Sequence, residues 1–149
     1  MSKRPLPELI FGCDEEVAAW VADRVEQVDV SDFLPCAAIG VATGGRLLAG
    51  VVFHDYQSKF DTMQLSMAAD SPLWARREII HQLLSYPFRQ LGVHKVWTAI
   101  PLEGEAALKV NKHIGFKREA VLGHHLGPGK HCVMMRMLEP DFKRIFEHG

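Results

Sequence analysis

The sequence predicts an α/β domain: a mixed, mostly antiparallel sheet with a central parallel pair and helices on both faces. Two observations carry this. Between Thr62 and Phe116 an apolar strand, a helix, a second apolar strand and a second helix follow one another through short turns, the order of a parallel pair joined by a crossover helix. On either side of that stretch, paired apolar runs meet at glycine turns, Gly44-Gly45 and Gly127-Pro128-Gly129, the signature of antiparallel hairpins.

The elements follow in order. Asp14 to Val28 reads as an amphipathic helix, with Asp14 as its cap, Glu15 and Glu16 at the positive end of its dipole, and Val17, Trp20, Val21 and Val25 on one side. A turn over Ser31–Pro35 leads to strands Ala37–Ala42 and Leu47–Phe53, and His54 to Asp61 reads as a polar loop. Met63, Leu65 and Met67 then alternate with polar neighbours as a strand does. Ser71 followed by Pro72 is a helix-start signal, and Ile79, Ile80, Leu83, Leu84, Phe88 and Leu91 form the stripe of that helix. Pro87 lies inside the pattern and should end or kink the helix near residues 83–86. The nearly continuous apolar run Val96–Ile100 suits a strand covered on both faces. A helix closing at Gly115-Phe116, an antiparallel pair over 117–126 and 131–138, and a short surface helix in the tail complete the chain.

The whole of residues 1–149 reads as one domain, 48% hydrophobic and 23% charged, which is a globular composition. With 17 basic and 18 acidic residues the net charge is −1, so nothing calls for a nucleic-acid partner. The apolar run Leu9–Phe11 is too short for a signal peptide or a membrane span. Cys13, Cys36 and Cys132 are odd in number and form no C-x-x-C pair, which fits free thiols in a reducing cytoplasm. No metal site is expected, because the chain lacks ligand spacing. On a strand His124 and His125 would face opposite sides, though His131 lies across the glycine turn from them.

A strand end running into a helix N-terminus is an anion site, since first-turn N–H groups lack acceptors and carry partial positive charge. That element order, with Gly115-Phe116 ending the second helix, resembles the GNAT superfamily of acetyl-CoA-dependent N-acetyltransferases, in a compact form met in bacterial and phage genomes. The family's pyrophosphate motif, R/Q-x-x-G-x-G/A, falls without a gap on Pro72-Leu73-Trp74-Ala75-Arg76-Arg77. Ala75 is a small replacement for its first glycine and Arg77 replaces the second. The family's N-x-x-A-x-x-x-Y-x-x-x-G-F helix falls on Gly104, Ala107, Asn111, Gly115 and Phe116, with Asn111 where tyrosine is usual.

The resemblance implies that Met67, Ser71, Leu73, Trp74, Ala75, Arg76, Arg77 and Asn111 hold coenzyme A. Strand amides near Met67 would take the acyl carbonyl and pantetheine arm, and Arg76 and Arg77 would supply phosphate charge in place of glycines. Asn111 would donate a hydrogen bond to the departing thiolate. An alkylamine of pKa about 10.4 loses about three pK units, roughly 4 kcal/mol, on deprotonation near neutral pH. A thiol of about 8.5 costs only about 1.4 kcal/mol, so a base matters more than an acid. His131 and Asp61 rank level for that role, with His54 and Gln64 also in reach of the same strands. The expected acceptor is a small-molecule or peptide amine, and a homodimer is allowed for. A catalytically degenerate acyl-CoA-binding or protein-interaction module stays open as the alternative.

Overall fold

The computed structural model of the chain describes residues 7–25 and 28–147, less the side chain of Leu73. Its strands are β1 (Glu8–Ile10), β2 (Cys36–Thr43), β3 (Arg46–Gln57), β4 (Thr62–Ala69), β5 (Lys95–Pro101), β6 (Lys117–Leu122) and β7 (Cys132–Leu138). Its α-helices are α1 (Asp14–Ala22), α2 (Arg77–Ser85), α3 (Glu105–Ile114) and α4 (Glu139–Phe146). The strands run in the order β1-β2-β3-β4-β5-β7-β6. The β4–β5 pair is parallel, joining Thr62–Gln64 to Lys95–Trp97, whereas β1–β2, β2–β3, β5–β7 and β6–β7 are antiparallel. The expected mixed sheet with its parallel pair is present. The chain divides into two compact units, Met1–Asp55 with Leu65–Leu83, and Tyr56–Gln64 with Leu84–Gly149.

In the first unit α1 lies directly on the β2–β3 hairpin. Gly40 pairs with Gly50 across the ladder, and a Cβ at Gly50 would stand 2.7 Å from Val21 Cγ2 and 3.0 Å from Val17 Cγ1. Two facing glycines thus make the flat spot on which Val17 and Val21 pack. The core there joins Val17, Ala18, Val21, Phe33, Ala38 and Val52. At the hairpin tip Gly44 and Gly45 have φ of 58° and 79°, both in the left-handed region that a tight turn of this kind requires. Arg24 reaches Asp70 at 2.8 Å and lies 3.6 Å over the Trp20 ring, tying the end of the α1 segment to the end of β4.

In the second unit β7 is central, paired along its whole length with β5 and also with β6. The Phe142 ring of α4 stacks on Phe88 at 4.9 Å and meets Phe146 at 5.4 Å. Arg89 caps that cluster, 5.2 Å from the Phe142 ring and bonded to Glu139 and Glu147. Pro87 acts as expected: α2 ends at Ser85 and a π-helical turn, Tyr86–Gln90, follows, with Leu91 N–H reaching Tyr86 C=O at 3.0 Å.

Several sequence boundaries are corrected. Helix α1 stops at Ala22 instead of Val28, with residues 26–27 outside the described range. Asp14 does not cap it: its carboxylate accepts Ala38 N–H at 2.9 Å, and Cys13 takes the cap position. The predicted loop His54–Asp61 is half strand, because β3 continues to Gln57. Helix α2 begins at Arg77 instead of Pro72, after a 3-10 turn over Pro72–Trp74. His124 and His125 are not on a strand; β6 ends at Leu122, and His124 adopts a φ of 56°. The tail helix is α4, and residues 148–149 lie outside the described range.

Candidate functional site

The ladder between β4 and β5 covers only Thr62–Gln64 on β4 among the described residues, so Leu65–Ala69 are not part of it. Met67 lies in that stretch, half-buried. At its end Asp70 is anchored twice, its N–H to Leu48 C=O at 2.8 Å and its carboxylate to Arg24. The guanidinium hydrogen bond holds the Asp70 carboxyl below the usual carboxylate range, overcoming the opposing effect of burial. This fixes where the chain leaves the strand.

The motif residues follow at once. Ser71 is half-buried. Within the turn, Ala75 N–H bonds Pro72 C=O at 3.2 Å and Arg76 N–H bonds Trp74 C=O at 2.8 Å. Those two amides are therefore spent locally. The Trp74 indole, only 2% exposed, is a core side chain and has no face left for a cofactor. The side chain of Leu73 lies outside the described residues. Ile80 N–H to Arg76 C=O, at 2.9 Å, is a first bond of α2, so the N–H groups of Glu78 and Ile79 have no acceptor within the helix. Arg76 and Arg77 are exposed beside them. The helix end with first-turn N–H groups and exposed arginines is thus Arg76–Ile79, a few residues later than the sequence placed the helix start.

In the second unit, Asn111 sits mid-way along α3 and is 2% exposed. Its Nδ2 donates to Ala107 C=O in its own helix at 2.9 Å, and its Oδ1 is buried without a partner among the described residues. An acceptor left so costs about 1–3 kcal/mol. Replacing Asn111 by leucine, which keeps the branching and removes the orphan oxygen, should therefore raise stability by about 1 kcal/mol. Chemical denaturation checks this, and a comparable loss would mean that Oδ1 has a donor in solution.

His131 precedes β7, where its C=O accepts Leu102 N–H at 3.0 Å. Its ring meets His124 edge-on at 4.7 Å. His131 Nδ1 accepts His124 N–H at 2.9 Å, and His124 Nδ1 accepts Gly129 N–H at 2.8 Å. Both Nδ1 lone pairs are occupied, so the neutral rings carry their protons on Nε2. Asp61 is exposed, with φ 54°, and its C=O accepts the N–H groups of His94 and Lys95. It immediately precedes β4.

Among the described residues no group of three His, Cys, Asp or Glu side chains could hold a metal, and no helix is long and apolar enough to cross a membrane. Cys13, Cys36 and Cys132 are free thiols.

His54, which the sequence offered for the base role, pairs with Ser66, which it did not. His54 is 9% exposed, its Nε2 stands 2.9 Å from Ser66 Oγ, and its ring tilts against Phe33 at 5.0 Å. Burial pulls the imidazole below the ordinary histidine value, against an opposing pull from Asp55. Reading 54–61 as a loop concealed this pair, because only a strand running past Phe53 brings His54 beside β4.

No protein-family model matches the sequence, and no curated protein matches it in sequence. Solved structures do match in fold. A spermidine N-acetyltransferase chimera of Vibrio cholerae SpeG and hSSAT aligns with TM-score 0.72 over 91% of this chain and 97% of its own, at 15% identity. A mutant form of the spermidine/spermine N-acetyltransferase SpeG from Vibrio cholerae gives 0.73 over 93% and 98%, at 13% identity. A dodecameric Vibrio cholerae spermidine N-acetyltransferase in an intermediate state gives 0.70 over 96% and 98%, at 14% identity. The mixed sheet with its parallel β4–β5 pair, built from a sequence this distant, is the GNAT fold that those N-acetyltransferases have.

Proposed function

We propose that this chain transfers an acetyl group from acetyl-CoA to a primary amine by direct attack within a ternary complex. One observation carries the reading: a single continuous segment, Leu65–Ile79, offers strand backbone outside the β5 ladder and then a helix N-terminus with two exposed arginines. Extended backbone suits the amides of a pantetheine arm, and first-turn N–H groups with guanidinium charge suit a diphosphate. These residues fit coenzyme A, with Met67 and Ser71 on the strand side and Ala75, Arg76 and Arg77 on the phosphate side. When bound, the cofactor supplies an acyl group already activated as a thioester. The structural neighbours are named for acetylating spermidine, so an aliphatic polyamine is the first acceptor to try, and self-association is measured alongside by light scattering.

The inward turn of Asn111 favours a second reading, a fold that binds acyl-CoA with little turnover. Its Nδ2 is already committed to Ala107 in its own helix.

Coenzyme A should bind in the micromolar range, about −8 kcal/mol. At 100 times the dissociation constant it should stabilise the fold by about 2.7 kcal/mol. No melting shift at millimolar coenzyme A would end the assignment. Thiol release from acetyl-CoA with spermidine and a panel of primary amines separates the enzyme from the binding module.

A further inference from the structure

The reaction needs a proton acceptor, for which the sequence offers His131 and Asp61. The first unit holds another. His54 on β3 and Ser66 on β4 are joined at 2.9 Å, and Ser66 adjoins Met67, the residue next to which the acyl group is proposed to lie. Ser66 is half-buried. It shares a strand face with Ala68, which packs against the cluster containing Phe33. Among the described residues His54 Nδ1 has no hydrogen-bond partner, and the ring's single bond is to Ser66.

We propose that Ser66 and His54 form the proton-accepting pair for the attacking amine, with Ser66 touching the amine nitrogen and His54 acting through it. The inference rests on the acetyltransferase reading above. The ammonium first loses one proton to water. As the nitrogen–carbon bond to the acetyl group forms and the carbon–sulfur bond breaks, the nitrogen sheds its second proton to Ser66 Oγ. The Ser66 hydroxyl proton moves to His54 Nε2, which requires the tautomer with Nδ1–H. The thiolate leaves and takes a proton from solvent, and the imidazolium returns its proton to water. One ammonium and one thioester thus become one amide, one thiol and one proton.

The surroundings favour a neutral ring. Burial lowers the His54 pKa, and only Asp55 opposes it. Opposite His54 on β2 stands Cys36, whose thiol is pushed up by burial and so stays neutral. Of the carboxylates on α1 and the adjoining 3-10 turn, Asp14 accepts Ala38 N–H and Asp32 accepts Asp29 N–H. Because the folded value lies below the unfolded one, the ring is unprotonated at neutral pH, with Nε2 free to take a proton. Folding stability should fall as pH drops from about 6.5 through the lowered value, and activity as pH drops through the lowered value itself.

The test is steady-state acetylation of spermidine and primary amines by His54→Gln, Ser66→Ala and Ser66→Thr, with coenzyme A affinity measured by calorimetry. His54→Gln and Ser66→Ala should lose about a hundredfold or more in kcat with unchanged coenzyme A affinity. Ser66→Thr, which keeps the hydroxyl, should recover most of it. The acidic limb of the wild-type pH profile should vanish in His54→Gln. If His54→Gln does not fold, Ser66→Ala against Ser66→Thr decides. Turnover within threefold of wild type in Ser66→Ala, or an acidic limb that persists in His54→Gln, overturns the proposal. Wild-type protein that binds coenzyme A but acetylates no amine overturns both this pair and the enzyme reading, while leaving the cofactor site standing.

Discussion

Gly115→Ala is expected to destabilise the fold by roughly 2–4 kcal/mol, lowering the melting temperature by about 6–12 °C. Gly115 closes α3 with φ of 124°, a value outside even the left-handed helical region that asparagine tolerates. Its N–H and that of Phe116 both return to Asn111 C=O, at 3.2 and 2.9 Å, so the conformation is fixed by the hydrogen bonds of the cap. A Cβ there would stand 2.6 Å from Ile145 Cδ1 and 3.1 Å from Met137 Cε. Backbone strain supplies about 1–3 kcal/mol. Overpacking adds less than its usual share, because the Ile145 terminus can swing away. The double variant Gly115→Ala with Ile145→Ala separates the terms: it removes the clash and leaves the strain. Gly44→Asn is the control, since Gly44 has φ of 58° and a Cβ added there would meet nothing within 4 Å; it should change stability by no more than about 0.5 kcal/mol. A Gly115→Ala protein as stable as wild type would mean that α3 ends differently in solution.

The same glycine shows what a sequence can and cannot disclose. Gly115-Phe116 was legible as a helix end because a positive φ leaves few residue choices, and Gly44-Gly45 was legible as a hairpin for the same reason. Pro87 was legible because a missing N–H has a local consequence. What depends on partners was not. Strand β3 runs past Phe53 into His54–Gln57, a polar stretch with little alternation, because β2 offers Cys36 as a ladder partner for His54. Strand β1 is three residues long and exists through its ladder to β2. Asp14 looked like a helix cap from its position, yet the nearby Ala38 N–H claims its carboxylate.

The candidate site divides along that line too. Pro72 opens a 3-10 turn, so α2 and its first-turn amides start later than local signals suggested. Burial decided the rest. Trp74 is a core side chain, while Asn111 is turned into its own helix. The His54–Ser66 bond joins residues twelve apart across two strands, a pairing no spacing rule reveals until the register is known.

Arg77→Ala should weaken coenzyme A binding by roughly 1.5–3 kcal/mol, about ten- to a hundredfold, if its guanidinium makes a charge-assisted bond to the diphosphate. The residue opens α2 and is exposed. A cation at a helix N-terminus is mildly unfavourable by the dipole alone, about 0.3–1 kcal/mol. The acidic residue in that turn, Glu78, offsets part of this cost. A bound diphosphate would offset the rest by drawing on the amides of Glu78 and Ile79 and on both arginines together. Calorimetry with coenzyme A and with pantetheine, which lacks the diphosphate, separates the two contributions. The variant should lose affinity for coenzyme A and keep its affinity for pantetheine. Wild-type affinity should also fall as salt rises, and Arg77→Ala should show a shallower dependence. Equal losses for both ligands would place the effect in the folding of the Pro72–Arg77 turn, and an unchanged coenzyme A affinity would move the phosphates away from this helix end.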